Sequence, residues 1–281
     1  MRPASSWTRR KRDWCLRRGA MGARDRTESY RWLAAYYDRL MSHVDYGAWV
    51  SYALKRLELA PAAEEPGEGR EPPLILDLAC GTGTFAVELA RRGFRVIGLD
   101  ASEEMLAVAD AKARQAGVDV FFTCQDLTAF ELAEEADAAV CFFDSLNYLT
   151  RVEELEQALA CTARALRPGA PFLFDLHTED RLREYGASTF GDSGEDVAYL
   201  WESEYDEERR LCTMYLTLFV READGRYARF DEVHEQRAHA GPEVTRALER
   251  AGFQLEGVFG ELTEEKPRPG EGRVFYLARR R

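Results

Sequence analysis

The segment that most constrains the fold reads LILDLACGTGT over residues 74–84, where a hydrophobic strand runs directly into a glycine turn that opens a helix. Glycine at positions 81 and 83 lets the backbone turn sharply and come close to a ligand. The spacing Gly81-x-Gly83-x-x-Ala86, with Asp100 nineteen residues after Gly81, also fits a dinucleotide-binding fingerprint. The turn therefore predicts a strand–turn–helix unit that binds a ligand, and by itself it leaves the ligand open.

From residue 74 onward, short apolar strands alternate with segments of helical spacing. The predicted strands are Leu74–Leu78, Arg95–Leu99, Val118–Thr123, Ala138–Phe143, Phe172–Leu176, Phe253–Gly260 and Arg273–Ala278. The predicted helices are Thr84–Arg92, Glu103–Ala116, Val152–Leu166 and Glu243–Ala251. Continuous apolar strands separated by helices form a parallel sheet that is covered on both faces. We therefore expect an α/β fold with a doubly wound, mostly parallel seven-stranded sheet.

Composition divides the chain into four parts. Residues 1–26 form a basic tail, 27–60 an aromatic helical cap, 61–73 a linker rich in Pro, Gly and Glu, and 74–281 the main domain. Within the main domain, charged turns join three segments rich in aromatic and β-branched residues: Val197–Tyr205, Leu211–Val220 and Tyr227–Gln236. These segments predict a small antiparallel sheet inserted as a lid at about residues 185–237.

Charge is unevenly distributed along the chain. The whole chain has 38 Lys and Arg against 50 Asp and Glu, a net charge of −12. Residues 1–26 contain nine basic and two acidic residues, so the tail carries +7 and the remainder −19. A body this acidic repels a phosphate backbone and argues against a broad nucleic-acid surface. The tail is interpreted first as a disordered extension, or as sequence upstream of a start at Met21, and second as a targeting presequence or a nucleic-acid arm.

The six cysteines show no C-x-x-C pair and no zinc spacing with the four histidines, so we expect no metal site. Several lie in apolar segments, where cysteine behaves as a small hydrophobic residue. Residues 1–20 lack the apolar run of a secretory signal. No apolar run approaches the roughly 18 residues of a membrane-spanning helix. We expect a cytoplasmic protein with no membrane partner.

Three acidic residues follow the first three strands of the predicted sheet. Asp77 ends the first strand, Asp100 the second, and Asp126 follows the third. These ends line the crevice where doubly wound sheets bind their ligands. A carboxylate at position 77 repels a pyrophosphate and attracts an ammonium or sulfonium group. A cationic ligand with a ribose and a base therefore suits the three acids better than a dinucleotide does.

These residues resemble the class I S-adenosylmethionine-dependent methyltransferases, over residues 30–281. The family motif is an acid followed by x, Gly or Ala, x, Gly, x and Gly, and DLACGTG at residues 77–83 matches it throughout. The resemblance implies S-adenosyl-L-methionine as the cofactor, with Asp77 near its amino group, Asp100 on its ribose hydroxyls and Asp126 on its adenine amino group. The implied cofactor site comprises Tyr37, Asp77, Ala79, Gly81, Gly83, Asp100, Met105, Gln125, Asp126 and Phe143.

Polar residues after the fourth and fifth strands, and on the last strand of the inserted sheet, are candidates for contact with the methyl acceptor. We expect Tyr148, His177 and His234 to orient the acceptor or remove its proton. A structural role is the alternative for His177. For His234, which alternates with Glu232 and Gln236, the alternative is an exposed sheet face.

The predicted function is in-line transfer of a methyl group from S-adenosylmethionine to a small-molecule acceptor. Because this cofactor is already activated, the protein mainly has to align the two reactants. Three alternatives remain open: an RNA methyltransferase, an NAD-dependent oxidoreductase, which Asp77 disfavours, and a module that binds the cofactor without catalysis. The inserted aromatic sheet can serve as a homodimer surface as easily as a lid.

Overall fold

The computed structural model describes residues 33–60 and 71–281. The predicted basic tail, the start of the predicted cap and residues 61–70 of the linker lie outside the described residues. The described cap contains helices α1 (Ala34–Leu40) and α2 (Tyr46–Arg56). The carboxylate of Asp45 caps α2 by accepting a hydrogen bond from Ala48 N at 3.0 Å. No helix within the described ranges is both long and apolar enough to cross a membrane.

The main sheet has seven strands. They are β1 (Leu74–Leu78), β2 (Arg95–Asp100), β3 (Phe121–Cys124), β4 (Ala138–Cys141), β5 (Pro171–His177), β10 (Phe253–Gly260) and β11 (Arg273–Arg280). Their order across the sheet is β10-β11-β5-β4-β1-β2-β3. Strands β1 to β5 pair in parallel, whereas β11 pairs antiparallel with both β5 and β10. The predicted doubly wound, mostly parallel seven-stranded sheet is confirmed.

Helices cover both faces of this sheet. They are α3 (Thr84–Arg91), α4 (Glu103–Ala116), α5 (Val152–Ala165) and α7 (Gly241–Arg250), whereas α6 (Glu179–Gly186) packs against the inserted sheet. Successive side chains of a strand point to opposite faces, so a buried strand needs apolar cover on both. Leu76 and Leu78 pack in a cluster with α5 and α7, whereas Ile75 packs with α2 and α3. Because both faces of these strands are buried, their sequences are continuous apolar runs.

Strand β3 begins at Phe121, later than the pattern from Val118 predicts. The backbone N–H of Val118 donates to Ala113 O at 3.2 Å, after Gly117 has ended α4 in the left-handed conformation. Residues 118–120 therefore complete the exit from the helix instead of pairing with β2. The short β3 forms one edge of the main sheet.

A second sheet of four antiparallel strands lies between α6 and α7. Its strands are β6 (Thr189–Ser193), β7 (Val197–Asp206), β8 (Leu211–Arg221) and β9 (Tyr227–Arg237). The edge strand β6 and helix α6 were not predicted, because the exposed TFGDS segment carries no apolar alternation. On β9, Glu232, His234 and Gln236 share one face and are all buried. That face of the inserted sheet therefore turns toward the rest of the protein.

Candidate functional site

Two neighbouring clefts lie at the carboxyl ends of the main strands. The first, here the glycine-loop cleft, is lined by Tyr37, Ala79, Gly81, Asp100, Ala101, Ser102, Met105, Asp126, Leu127, Phe143, Ser145, Tyr148 and Leu149. The second, here the aromatic cleft, lies between the cap, the inserted sheet and the main sheet. Three residues line both clefts, namely Tyr37, Phe143 and Tyr148. A ligand in one cleft can therefore meet a ligand in the other.

The glycine loop leaves room for a ligand against its backbone. Both Ala79 and Gly81 have positive φ angles, each of 54°, so the chain leaves β1 in a tight left-handed turn. A Cβ atom built on Gly81 would meet no atom within 4 Å, because this position faces the open cleft. Gly83 is different: its Cβ would lie 2.7 Å from Ala109 Cβ, so this glycine allows close packing of α4. Gly83 does not line the cleft.

Two carboxyl groups lie beside this loop, the buried Asp77 and the half-buried Asp100. Asp77 is almost fully buried, and its Oδ2 has no hydrogen-bond partner among the described residues. Burial, and then the nearby Asp100, raise the pKa of Asp77 to about 8. Asp100 accepts hydrogen bonds from Gly81 N at 2.8 Å and Ser102 N at 2.9 Å. Burial also raises the pKa of Asp100, and these backbone donors oppose the rise. Such a site favours a cationic ligand group.

The outer wall of the glycine-loop cleft contains other predicted cofactor residues. Met105, Asp126 and Phe143 all line it. Asp126 Oδ1 accepts hydrogen bonds from the backbone and hydroxyl of Thr128, at 2.7 and 2.5 Å, which orient its carboxylate. Gln125 does not line the cleft, because its amide group pairs with the backbone of Glu131 at the far side of the loop.

Asp38 connects the cap helix α1 to the glycine loop through a hydrogen bond and to α4 through an ion pair. Its Oδ1 accepts a hydrogen bond from Thr82 Oγ1 at 2.6 Å, and its Oδ2 lies 2.7 Å from Lys112 Nζ on α4. Thr84 Oγ1 also donates to Asp38 Oδ1, at 3.3 Å. The adjacent Tyr37 is thereby held over the junction of the two clefts. The sequence alone predicted no role for Asp38, because its partners lie 44 to 74 residues away along the chain.

The aromatic cleft is walled mainly by rings. Its ring-bearing residues are Tyr37, His43, Trp49, Phe143, Tyr148, His177, Tyr185, Phe190, Tyr199, Trp201 and His234. Its other polar and charged residues are Asp45, Asp144, Gln236, Glu261 and Arg273. The cap and the inserted sheet both supply residues to its wall, so an acceptor there contacts both additions to the main domain.

A chain of hydrogen bonds connects the aromatic cleft to a buried carboxylate. Tyr148 Oη lies 3.3 Å from His234 Nδ1, and His234 Nε2 lies 3.2 Å from Glu232 Oε2. Because a carboxylate only accepts, Nε2 carries the imidazole proton and Nδ1 accepts from the tyrosine. The other oxygen of Glu232 accepts from Leu33 N at 3.0 Å. The ring of Trp201 stacks on His234, with centroids 5.8 Å apart.

His177 is surrounded by fixed partners. Its Nε2 lies 2.8 Å from a guanidinium nitrogen of Arg273, and its Nδ1 lies 3.3 Å from Gln236 Oε1. Burial, opposed by Asp144 and reinforced by Arg273, lowers the pKa of His177 to about 4, so the ring is neutral at neutral pH. Its Nε2 lone pair is directed at Arg273. The structure thus brings Tyr148 and His234 together as a pair and gives His177 separate partners.

Arg273 is a site residue that sequence reasoning missed. It lies opposite His177 in the antiparallel pairing of β11 with β5, and forms ion pairs with Asp144 at 2.8 Å and with Asp175. In the sequence it is one arginine at the start of a predicted strand. Its partners are 98 and 129 residues away, so no local pattern could identify the cluster.

Comparison with known proteins agrees with this geometry. Residues 75–169 match the family model described as a methyltransferase domain. The protein named "Putative methyltransferase YqeM" of Bacillus subtilis strain 168 is 36% identical over 89% of this chain and 97% of its own length. The crystal structure of an S-adenosylmethionine-dependent methyltransferase from Clostridium acetobutylicum ATCC 824 has a TM-score of 0.77 at 28% identity, covering 89% of this chain and 98% of that one. The chain belongs to the S-adenosylmethionine-dependent methyltransferases.

A further solved structure supports S-adenosylmethionine as the cofactor of this methyltransferase. S-adenosylmethionine-bound CalS10, an amino pentose methyltransferase from Micromonospora echinaspora, has a TM-score of 0.65 at 26% identity, covering 89% of this chain and 96% of that one. These matches give no support to an RNA methyltransferase, an NAD-dependent oxidoreductase or a module without catalysis.

The residues of the methyltransferase fit this cofactor. The unpaired Oδ2 of Asp77 can accept from an ammonium group, and the space at Gly81 admits a ligand against the backbone. S-adenosylmethionine supplies a methyl group already activated on a sulfonium. Among residues 33–60 and 71–281, no group of three or more His, Cys, Asp and Glu is arranged to hold a metal ion.

The raised pKa of Asp77 predicts how cofactor affinity depends on pH. In the ligand-free methyltransferase the Asp77 carboxyl, with a pKa of about 8 against an ordinary 3.8, is protonated at neutral pH. A cationic cofactor favours the ionised form, so binding below pH 8 releases a proton. We expect affinity to rise with pH, by at most about tenfold per unit, and to level off above pH 8.

Calorimetric titration with S-adenosylhomocysteine, which retains the amino group, tests this dependence in buffers of different ionisation enthalpy. Those buffers also count the protons released on binding. Asp77→Asn is the control, because it keeps the size of the side chain and removes the titration; its affinity should not change over the same range. A flat profile in the parent protein contradicts the assignment of Asp77 to the cofactor.

Proposed function

We propose that this methyltransferase methylates a small molecule bound in the aromatic cleft, and that Tyr148 and His234 take up the proton of the acceptor. The observation that carries the proposal is the junction of the clefts. Tyr148 lines both, and its hydroxyl is the cleft-facing end of the chain that runs through His234 to Glu232. The proton acceptor thus lies where cofactor and acceptor would meet.

Each member of the chain has a distinct task. Tyr148 donates its own hydrogen to His234 Nδ1, and its oxygen is the atom proposed to receive the proton of the acceptor. As that proton arrives, the phenolic proton moves to His234, and Glu232 stabilises the imidazolium that forms. A positioned base of this kind contributes about 10²–10⁴-fold in rate. Glu232 acts through His234 and is a positioning residue.

His177 and Arg273 have a supporting task in this proposal. Arg273 binds Asp144 and Asp175. Gln236 donates to Asp144 Oδ2 at 2.5 Å, and His177 Nδ1 lies 3.3 Å from Gln236 Oε1. This network fixes the end of β5 against the inserted sheet. His177 then shapes the floor of the aromatic cleft, and the proton transfer is assigned to Tyr148 and His234.

The size and enclosure of the cleft support a small acceptor. The cap and the inserted sheet approach each other closely, since Leu33 N at the start of the cap donates to Glu232 on β9. A relative with the same fold, CalS10, is an amino pentose methyltransferase. We also propose a cytoplasmic location, which is supported by the free thiols of Cys80, Cys124, Cys141, Cys161 and Cys212. The homodimer stays a prediction.

Methyl-tritiated S-adenosylmethionine tests the proposed acceptor class. The protein is incubated with the small-molecule fraction of a cell extract, and separately with the RNA and protein fractions of that extract. We expect label to enter a product in the small-molecule fraction alone. Label in RNA or protein, or no labelled product in any fraction, overturns the proposal.

A further inference from the structure

We infer that the group methylated in the aromatic cleft is an amine, on an acceptor with no phosphate or carboxylate facing the cleft wall. The inference rests on the proposed function and deepens it. Two independent features carry it: the balance of charges in the wall, and the aromatic faces that remain around the junction with the glycine-loop cleft.

Within the described part of the chain, every arginine or lysine in the wall is already paired with carboxylates, so none is left for an anionic acceptor. Among the described residues that line the aromatic cleft, Arg273 is the sole arginine or lysine. It is paired with Asp144 at 2.8 Å, with Asp175, and with Glu261 at 3.6 Å. The pKa of Asp175 is raised to about 6 by burial, so it is ionised at neutral pH. Three carboxylates therefore surround one guanidinium.

Other groups in the wall add to the negative charge. Asp45 lines the cleft from the start of α2, and Glu232 lies directly behind His234. His177 is neutral, because its pKa is lowered to about 4. His43 Nδ1 donates to the backbone carbonyl oxygen of Leu40 at 3.1 Å, on the exposed rim. The net negative potential attracts an ammonium group and repels a phosphate or carboxylate.

Aromatic faces reinforce this preference at the reacting position. Tyr37, Phe143 and Tyr148 surround the junction of the clefts, and Phe143 packs on Trp49 with ring centroids 4.4 Å apart. Arg273 already lies over Trp49, at 5.6 Å from the ring centroid, which shows that this wall accommodates a cation. A cation held over such rings is attracted electrostatically to their faces.

The charges that develop during amine methylation suit the carboxylates and aromatic rings of the aromatic cleft. An ammonium acceptor first gives one proton to the Tyr148–His234 pair and becomes a neutral amine. The amine lone pair then forms the nitrogen–carbon bond while the carbon–sulfur bond of the cofactor breaks, and the electron pair of that bond stays on sulfur as a thioether. The positive charge thereby passes from sulfur to nitrogen, into the cleft with the carboxylates and rings. Methylation of a hydroxyl ends with a neutral ether, which needs no such surroundings.

Three probes of similar size and different charge test the inference: benzylamine, benzyl alcohol and benzoate. Each is titrated calorimetrically into the full-length protein saturated with S-adenosylhomocysteine. We expect benzylamine to bind about tenfold or more tightly than benzyl alcohol, which corresponds to about 1.4 kcal/mol, and benzoate to bind weakest. Equal affinities, or no binding of benzylamine at millimolar concentration, overturn the inference.

A charge-neutralising variant distinguishes the effect of the carboxylates in the cleft from the effect of the protein's overall negative charge. Asp45→Asn with Glu261→Gln removes two cleft charges, while an asparagine oxygen can still cap α2 and the exposed Glu261 has little packing to lose. We expect the preference for benzylamine to fall about three- to tenfold. Glu222→Gln with Glu249→Gln removes two exposed charges outside both clefts and should leave the preference unchanged.

The same titrations distinguish failure of the inference from failure of the proposed function. If S-adenosylhomocysteine does not bind, the proposed function itself fails, and this inference fails with it. If it binds and the three probes are not discriminated, only the amine is wrong. An equal fall in preference in the control variant also overturns the inference, because the selectivity would then come from overall charge.

Discussion

Replacing Gly81 by valine is expected to abolish cofactor binding, with a loss of affinity of at least about 100-fold, or 2.7 kcal/mol. The branched side chain would extend from a position whose surroundings are empty to 4 Å, directly into the glycine-loop cleft. It would also strain a backbone with φ of 54°, at a cost of about 1–2 kcal/mol. Calorimetric titration with S-adenosylhomocysteine measures the first effect and thermal unfolding the second.

Gly117→Val is the matched control for this variant. Gly117 also has a left-handed φ, of 68°, and a Cβ there also meets nothing within 4 Å, yet it ends α4 away from both clefts. Both variants should lose similar stability, and only Gly81→Val should lose the cofactor. If Gly81→Val binds S-adenosylhomocysteine as tightly as Gly117→Val does, the glycine loop is not the cofactor site.

The cofactor half of the site could be predicted because its information is local. The glycine turn and the acids at the ends of β1 and β2 lie in short segments, where strand burial, turn geometry and charge can be read together. The structure agrees, because Asp100 Oδ2 accepts a hydrogen bond from the backbone N–H of Gly81 at 2.8 Å. Gln125 shows the limit of such reading, since a strand end does not reveal which of two neighbouring side chains turns into the cleft.

The acceptor half depends on contacts that join distant parts of the chain. His234 was recognised as polar and alternating, but an exposed face fitted that pattern equally well. Burial of the face follows from the docking of the inserted sheet onto the cap, where Leu33 meets Glu232 across 199 residues. Arg273 and its carboxylates are joined in the same way. No local pattern encodes such pairings, and they decide which polar residues line the aromatic cleft.

The chain from Tyr148 to Glu232 predicts a second large effect. His234→Ala should lower turnover by about 10²–10⁴-fold, because the proton of the acceptor then has no relay to follow. Affinity for S-adenosylhomocysteine should be retained, since His234 lines the aromatic cleft and not the glycine-loop cleft. Transfer of label from methyl-tritiated S-adenosylmethionine to the small-molecule fraction measures turnover, and calorimetry measures the affinity.

Removal of a buried imidazole also leaves a cavity beside Trp201, so a structural control is needed. His239→Ala provides it: His239 is buried, bonds to Arg237 and lines neither cleft. Its stability should fall as in His234→Ala, while its turnover stays near that of the parent. Equal turnover losses in the two variants would mean that His234 only supports the fold.

Glu232→Gln tests the direction of the hydrogen bonds without a cavity. A glutamine oxygen can still accept from Leu33 N, which turns its amide group toward His234 as a donor. The imidazole proton then moves from Nε2 to Nδ1. Nδ1 can no longer accept the hydrogen bond from the hydroxyl group of Tyr148. Turnover should fall nearly as far as in His234→Ala, with cofactor affinity and thermal midpoint close to the parent values. If Glu232→Gln instead showed the turnover and the pH profile of the parent, the carboxylate of Glu232 would not direct the proton. That result would contradict the assignment of the Tyr148–His234 pair as the base of this methyltransferase.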